Sequence, residues 1–328
     1  MPILELQSIH KSFRRGFWGV RTPILKGVDL AIEQGELFGF LGHNGAGKST
    51  TMKIILGLLR PDQGHAMIFG EQGSSSRARA RIGYLGEEVG LYPNLTAVET
   101  LLLAGELFRL PRQTARARAE ALIEQVGLKH AGDRKTKQYS KGMRQRLGLA
   151  TALINDPELL ILDEPYSGLD PIGRRQLREL LLALKAQGKT IMMSSHIVPD
   201  VEAVCDRVGI LADGVIARVL DLNATRAQNS GDVEVVIGGD EARRMVARDF
   251  GEHQVHANDS ISIVRSSTDH RLKALIDHVY AAGGRVLEVK PARSGLEDVF
   301  VDVVGSRTGH KNSTPSSSVM LEPELSRR

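Results

Sequence analysis

Cysteine is almost absent from this sequence. Cys205 is the one cysteine among 328 residues, so no intrachain disulfide can form. A chain without a disulfide framework fits a reducing compartment. Within the stretch DVEAVCDRVGIL we predict that Cys205 is a small buried side chain rather than a reactive thiol.

Long apolar runs are missing as well. No uninterrupted run approaches the about 18 residues that a membrane-spanning helix needs. The best candidate, AVETLLLAGELF, is broken by Glu99 and Glu106. The N-terminal stretch MPILELQSIHKSF lacks the basic-then-apolar order of a secretory signal. We therefore expect a cytoplasmic protein, and any action at a membrane requires a partner that supplies the span.

A strong charge of either sign is also lacking. The net charge is +4 and the sequence pI is near 9.2, which fits anionic ligands or a membrane surface but does not by itself indicate nucleic acid. We expect no nucleic-acid partner. Hydrophobic residues make up 41% and charged residues 25%, as in ordinary globular proteins, and the length allows one large domain and a smaller one.

The stretch GHNGAGKST fits the phosphate-binding pattern G-x-x-x-x-G-K-[ST]. It follows a predicted strand and opens a predicted helix, and its glycines let backbone N–H groups point at phosphate oxygens. Lys48 is expected to reach the β- and γ-phosphates and Ser49 to bind Mg²⁺. The alternative is a plain glycine turn before a helix. The predicted nucleotide-binding residues of this loop are Gly42, Asn44, Gly45, Ala46, Gly47, Lys48, Ser49 and Thr50.

The stretch LLILDEP is a continuous apolar run, typical of a strand buried on both faces of a parallel sheet, and it ends in two carboxylates. Asp163 is placed to hold Mg²⁺ directly or through water. Glu164, one residue further on, can orient and deprotonate a water molecule in line with the γ-phosphate. The alternative is a strand that ends in a solvated acidic turn.

Strands and helices alternate along most of the chain, which predicts an α/β core with a largely parallel sheet. Thr96 and Glu99 form a capping box at the start of a predicted helix. The character changes after residue 221: residues 222–232 resemble a linker, and residues 233–305 predict a small α+β module with a split βαβ arrangement. We expect protease cleavage in the linker to separate this module, and residues 306–328 to be disordered.

In their order, these motifs resemble the ATP-binding cassette family, the ATPase subunits of ABC transporters, over roughly residues 1–220. The stretch YSKGM (139–143) stands at the position of the signature motif, SGLDP (167–171) at that of the D-loop, and SSH (194–196) carries the switch histidine, His196. The resemblance implies a P-loop NTPase fold over residues 1–221, with a helical subdomain at about 88–154.

In this family two cassettes pack head to tail, and each ATP lies between the P-loop of one subunit and the signature motif of the other. The resemblance therefore implies that the Ser140 hydroxyl and the Gly142 N–H group donate to the γ-phosphate held by the other subunit. The usual form is Leu-Ser-Gly-Gly-Gln, whereas here the third and fifth positions are Lys141 and Met143. Lys141 either directs positive charge at the nucleotide or is solvated.

Two further positions follow from the resemblance. Phe13 matches the aromatic residue that stacks on adenine, with Phe17 and Trp18 as alternatives. Glu87 stands where the family has the Q-loop glutamine, which contacts Mg²⁺ and couples to the membrane subunit. It is followed by Glu88, and this acidic pair departs from the family pattern.

The ending SGLEDVFVDVVG is similar to the close of the C-terminal module in cassettes that drive type-2 permease exporters, although a generic packing domain is the alternative. The resemblance implies a homodimeric, Mg²⁺-dependent ATPase with an integral membrane permease as its partner. DNA-repair cassettes insert a long coiled coil between P-loop and signature, and no sustained heptads occur there. A P-loop kinase would need neither signature nor switch histidine.

Overall fold

The computed structural model describes residues 2–14, 19–73, 75–224, 233–239, 244, 261–266, 269–291 and 296–308. The strands are β1 (Pro2–Arg14), β2 (Arg21–Glu33), β3 (Leu37–Leu41), β4 (Gln63–Ile68), β5 (Glu71–Gln72), β6 (Ile82–Leu85), β7 (Leu159–Leu162), β8 (Thr190–Ser195), β9 (Arg207–Ala212), β10 (Val215–Asp221), β11 (Val233–Gly238), β12 (Ile261–Ser266) and β13 (Arg285–Pro291). The helices are α1 (Lys48–Ile55), α2 (Ser76–Arg79), α3 (Ala97–Leu107), α4 (Arg112–Gln125), α5 (Lys141–Leu153), α6 (Pro171–Ala186), α7 (Val198–Glu202), α8 (Asp269–Ala281) and α9 (Leu296–Thr308). Short 3₁₀ turns lie at Lys129–Ala131 and Thr136–Gln138.

The central sheet has six strands in the order β10-β9-β3-β8-β7-β6, and all but the edge strand β10 run parallel. Every residue of β3, β7 and β8 is buried, as expected for strands covered on both faces. The prediction of a parallel α/β core is therefore confirmed. Because parallel strands end at the same edge, the segments that follow β3, β7 and β8 meet there.

A second, antiparallel sheet with the order β2-β1-β4-β5 covers the central sheet. The apolar core between them contains Leu4 and Leu6 of β1, Phe38 of β3, and Met52 and Ile55 of α1. Helix α1 is thus packed against both sheets, and this packing fixes the loop that precedes it.

Helices α3, α4 and α5 pack on one another beside the central sheet. The predicted capping box is confirmed at the start of α3: Glu99 N–H donates to Thr96 Oγ1 at 3.2 Å, and Thr96 N–H donates to Glu99 Oε2 at 2.8 Å. The Tyr139 hydroxyl donates to the Ala131 carbonyl at 2.6 Å, which fixes the segment that leads into α5. The subdomain bounds of 88–154 stay a prediction.

The third sheet belongs to the C-terminal region and has the order β12-β11-β13. Both outer strands are antiparallel to β11, so β12 and β13 are parallel to each other and are joined through α8. This is the split βαβ arrangement predicted from the sequence. Leu275 and Val279 of α8 pack on Val235 and Ile237 of β11.

Helix α9 leaves this third sheet and packs on the cassette. Leu296 is only 1% exposed and lies in the same core as the central sheet, and α9 contacts β9 and α7. The sequence did not predict this contact, which joins the C-terminal region to the cassette at a second place besides the linker. The helix also runs past the predicted start of the tail at residue 306. Linker residues 225–232 and tail residues 309–328 lie outside the described residues, and the domain bounds stay predictions.

Replacement of Leu296 should destabilise the whole chain. We expect Leu296→Ala to lower the free energy of unfolding by about 2–5 kcal/mol, because truncation of a buried leucine leaves a cavity. Val301→Ala in the same helix is the control, because Val301 is 61% exposed. Urea unfolding of the full chain measures both variants. Equal effects in the two variants would mean that α9 does not stabilise the cassette.

Candidate active site

The phosphate-binding loop connects β3 to α1 and requires glycine at two positions for steric reasons. Gly47 has a φ of 112°, and a Cβ there would lie 2.6 Å from Leu25 Cδ2. A Cβ on Gly42 would lie 2.7 Å from the Leu211 carbonyl oxygen. The loop therefore packs closely on the Leu25 side chain and the Leu211 backbone. The N–H groups at the start of a helix favour an anion, as the prediction of a phosphate-binding loop requires.

Lys48 opens α1, and its ammonium group is held above the loop. The side chain is almost fully buried, and Nζ donates to the Gly42 carbonyl at 2.7 Å. It also lies 3.3 Å from Glu164 Oε1. The ammonium group of Lys48 could donate to phosphate oxygens in place of these partners, because hydrogen bonds between an ammonium group and a phosphate are strong.

An open cavity of about 480 Å³ lies at this edge of the central sheet, within the size range of small-molecule sites. Most of the predicted residues line it: Phe13, Asn44, Gly45, Gly47, Lys48, Ser49, Thr50, Glu87, Glu164 and His196. Ala46 is buried within the loop. Phe13 is 41% exposed at the cavity, whereas its alternatives Phe17 and Trp18 lie outside the described residues.

Glu164 is the centre of the charged groups in this cavity. Its side chain is 13% exposed, and Oε1 lies 3.0 Å from His196 Nδ1 as well as 3.3 Å from Lys48 Nζ. Its backbone has a φ of 49°, which is uncommon outside glycine. The carboxylate that was predicted as general base is thus close to Lys48, which was predicted to reach the phosphates, and to the predicted switch histidine, His196.

Asp163 is buried and borders an adjoining cavity of about 550 Å³, which Ser49 and Glu87 line as well. All three residues offer hard oxygen donors, the chemistry that Mg²⁺ prefers. Within the part of the chain that the structure describes, no group of three or more His, Cys, Asp and Glu side chains could hold a metal ion. This donor set fits a Mg²⁺ that completes its shell with water and phosphate oxygens.

Tyr84 lines the same adjoining cavity. Burial, and to a lesser degree the nearby Asp163 carboxylate, raises the pKa of its phenol above the usual value. A tyrosine is protonated at neutral pH even at its ordinary pKa of 10.0, and the shift moves Tyr84 further in that direction, so it adds no negative charge beside Asp163.

Comparison with known proteins agrees with this geometry. The sequence model described as "ABC transporter" matches residues 25–167. An ABC transporter ATP-binding protein from Synechocystis sp. is 40% identical over 302 residues, which cover 91% of this chain and 84% of that protein. The chain belongs to the ABC transporter ATP-binding proteins. It is accordingly a cassette ATPase with a P-loop NTPase fold.

One further sequence and one solved structure are similar to this chain over most of their own length. The bacitracin transport ATP-binding protein of Bacillus licheniformis is 35% identical and covers 86% of this chain and 92% of its own length. The ATP-binding cassette MJ0796, solved as a dimer in a post-hydrolysis state with ADP and Pi, is 28% identical with a TM-score of 0.62, and covers 67% of this chain and 98% of its own. Across the described ranges of the cassette, no helix is both long and apolar enough to cross a membrane.

The residues predicted as the signature motif lie at the start of α5. The Ser140 hydroxyl accepts the Met143 N–H group at 3.2 Å and caps the helix. A Cβ on Gly142 would lie 3.2 Å from the Gly168 carbonyl oxygen, so this helix start packs on the D-loop. The structure therefore brings the P-loop, Glu164 and His196 together at one cavity, that of 480 Å³. Ser140 and Gly142 of the same chain are not among the described residues that line it.

Lys141 has a contact that neither interpretation of the sequence included. Its Nζ donates to Ser167 Oγ at 3.0 Å, and its methylene groups pack over Gly168. In the single chain, Lys141 thus attaches the start of α5 to the segment predicted as the D-loop while it remains exposed, and its partner Ser167 lines the 480 Å³ cavity. Both interpretations of Lys141 stay predictions.

Sequence reasoning missed two buried polar residues behind the site. Gln145 Nε2 donates to the Pro165 carbonyl at 3.3 Å, on the segment that follows Glu164. The Ser194 hydroxyl contacts Asp163 and the Glu164 backbone. The signal in the sequence was a polar residue on the buried face of an amphipathic helix, and a hydroxyl residue at the end of a buried strand, directly after the apolar run Ile191–Met193.

Proposed function

We propose that this chain binds Mg-ATP, dimerises around it and hydrolyses it, and that it drives export through a separate integral membrane permease at the cytoplasmic face of the membrane. The observation that carries the proposal is the separation of two half-sites. Lys48, Glu164 and His196 share one cavity, whereas Ser140 and Gly142 lie elsewhere on the same chain. A second cassette can supply the missing half.

Hydrolysis needs mainly positioning and charge stabilisation, because phosphoryl transfer requires little covalent help. The P-loop N–H groups and Lys48 would bind the β- and γ-phosphates. Glu164 would accept the proton of the attacking water, and His196, 3.0 Å away, would stabilise the charge that develops beside it. Mg²⁺ would neutralise phosphate charge when bound, and Ser49, Asp163 and Glu87 are the residues that would hold it.

Dimerisation is supported by the exposed position of Ser140 and by the MJ0796 structure, a cassette dimer with ADP and Pi. The role in transport is supported by the similarity to the bacitracin transport protein, which extends over most of both chains. The export direction is supported by the ending SGLEDVFVDVVG, which is similar to the close of the C-terminal module in cassettes that drive type-2 permease exporters.

The function is tested by co-expression with a polytopic membrane protein encoded by the neighbouring reading frame. The two proteins should co-purify in detergent, and the complex should hydrolyse ATP faster than the cassette alone. Lys48→Ala is the control: it should keep the complex but lose the activity. If the membrane protein neither binds the cassette nor changes its ATPase rate, the permease part of the proposal is wrong.

The metal role of Glu87 can be tested separately. Glu87 lines both the nucleotide cavity and the adjoining one with Asp163. If it binds Mg²⁺, Glu87→Gln restores the family's usual amide and should shift the Mg²⁺ concentration for half-maximal hydrolysis. Glu120→Gln is the control: Glu120 pairs with Arg116 on the exposed face of α4 and lines neither cavity, so the same charge change there should leave the titration unchanged. Superimposable curves for wild type and Glu87→Gln would exclude Glu87 as a ligand.

A further inference from the structure

Ser194 lies at the end of β8, next to the strand that carries both acidic residues. The two strands run parallel, and Met193 is paired with Leu162. One residue further along each segment, Ser194 of β8 comes beside Asp163, which directly follows β7. Ser194 is fully buried. A buried hydroxyl at this position needs a polar reason, because burial of an unpaired hydroxyl is costly.

The Ser194 hydroxyl bridges the two consecutive acidic residues. It donates to Asp163 Oδ1 at 2.6 Å, and it accepts the backbone N–H group of Glu164 at 3.0 Å. A hydroxyl has one proton and two acceptor lone pairs, so both contacts can be made at once. One side chain therefore holds the carboxylate of Asp163 and the backbone of Glu164.

The contact with Glu164 supports an uncommon backbone conformation. Glu164 has a φ of 49°, and such strain persists only where the surroundings hold it. Its N–H group is held by Ser194, and its carbonyl accepts the Ser167 N–H group at 3.0 Å. With the backbone in this conformation, the Glu164 carboxylate lies 3.0 Å from His196 Nδ1 and 3.3 Å from Lys48 Nζ.

The contact with Asp163 makes the two carboxylate oxygens of Asp163 different from each other. Oδ1 is hydrogen-bonded to Ser194, so Oδ2 remains to bind a metal ion or its water. An outer partner of this kind fixes the orientation of a metal ligand. The same hydroxyl thus acts on the predicted Mg²⁺ ligand and on the predicted general base.

We propose that Ser194 is a positioning residue for ATP hydrolysis, which acts through Asp163 and Glu164 together. The proposal rests on the proposed function, since it assigns Ser194 a place in that same site. Loss of an outer-shell partner typically costs about 10–100-fold in metal affinity or activity. We therefore expect Ser194→Ala to lower kcat by about 10–100-fold and to raise the Mg²⁺ concentration for half-maximal activity.

The matched control is Thr190→Val in the same strand. Thr190 is equally buried, and its hydroxyl accepts the Gly35 N–H group at 2.9 Å, away from the site. Thr190→Val loses this hydrogen bond and Ser194→Ala loses two, so both variants should lose thermal stability, Ser194→Ala by more. Only Ser194→Ala should lose turnover. Ser194→Cys is nearly isosteric and offers only a weak donor, so it should reproduce the kinetic loss if Ser194→Ala does not fold.

A binding measurement makes the test independent of turnover. A fluorescent ATP analogue is titrated onto each variant with Mg²⁺ and, in separate samples, with EDTA. Ser194→Ala should weaken binding only when Mg²⁺ is present. Ser194 is only a structural residue if Ser194→Ala binds the analogue as tightly as wild type both with Mg²⁺ and with EDTA. The same conclusion follows if its kinetic loss is no larger than that of Thr190→Val. If the wild type hydrolyses no ATP, the proposed function fails, whereas these titrations still decide the role of Ser194.

Discussion

Glu164→Gln should bind ATP and turn it over about 10²–10⁴-fold more slowly than wild type, the usual contribution of a general base. The amide fills the same space but cannot accept the proton of the attacking water. Its binding of ATP should be retained, because without the carboxylate 3.3 Å away Lys48 is more available to phosphate. Steady-state ATPase assays and nucleotide titrations measure the two quantities separately.

The control for this variant is Glu179→Gln. Glu179 lies on the exposed face of α6 in an ion pair with Arg175, so the same chemical change occurs far from phosphate. Its ATPase rate should equal that of wild type. An unchanged kcat in Glu164→Gln would remove the general-base assignment, and a variant that no longer binds ATP would make Glu164 a residue for nucleotide binding instead.

The sequence predicted those parts of the site whose residues lie close together along the chain. The loop of residues 42–50 carries its glycines, Lys48 and Ser49 within one turn and one helix start, so the pattern alone defines the geometry. Asp163 and Glu164 follow directly on a strand that is apolar throughout. The capping box of α3 was equally predictable, because its two partners are three residues apart.

The parts that were missed depend on which distant segments become neighbours. Ser194 and Asp163 are 31 residues apart, and they meet only because β8 pairs with β7. Lys141 reaches Ser167 across 26 residues through the packing of α5 on the D-loop. Leu296 looked like part of a separate module, whereas α9 packs on the cassette core. Local periodicity does not encode such pairings, so only the folded structure reveals them.

The strongest test of a shared site is complementation between two inactive variants. Lys48→Ala removes the ammonium group from the P-loop half of both sites in a homodimer. Ser140→Arg places bulk and charge in the signature half of both sites. Each variant alone should therefore be nearly inactive. In a mixed dimer one site carries both changes and the other carries neither, so activity should return on mixing and be greatest at equal concentrations.

Two controls define this experiment. Ser140→Thr keeps a hydroxyl that can both cap α5 and donate to phosphate, so it should remain active and show that a substitution at this position does not by itself abolish turnover. A chain that carries both Lys48→Ala and Ser140→Arg, mixed with Lys48→Ala, leaves every site with at least one change and should recover nothing. Differential tags confirm that subunits exchange.

The outcome distinguishes two roles of Ser140 at the start of α5: a helix cap alone, or a cap that also contacts the nucleotide of the other subunit. In the single chain Ser140 is a helix cap, and among the described residues around the 480 Å³ cavity neither it nor Gly142 takes part. If both changes acted within the same chain's site, mixing would produce no intact site and no activity. Recovered ATPase activity therefore requires that Ser140 acts on nucleotide bound to Lys48 of the other subunit. Mixed dimers that form but stay inactive would leave Ser140 as an ordinary cap and would exclude the composite site.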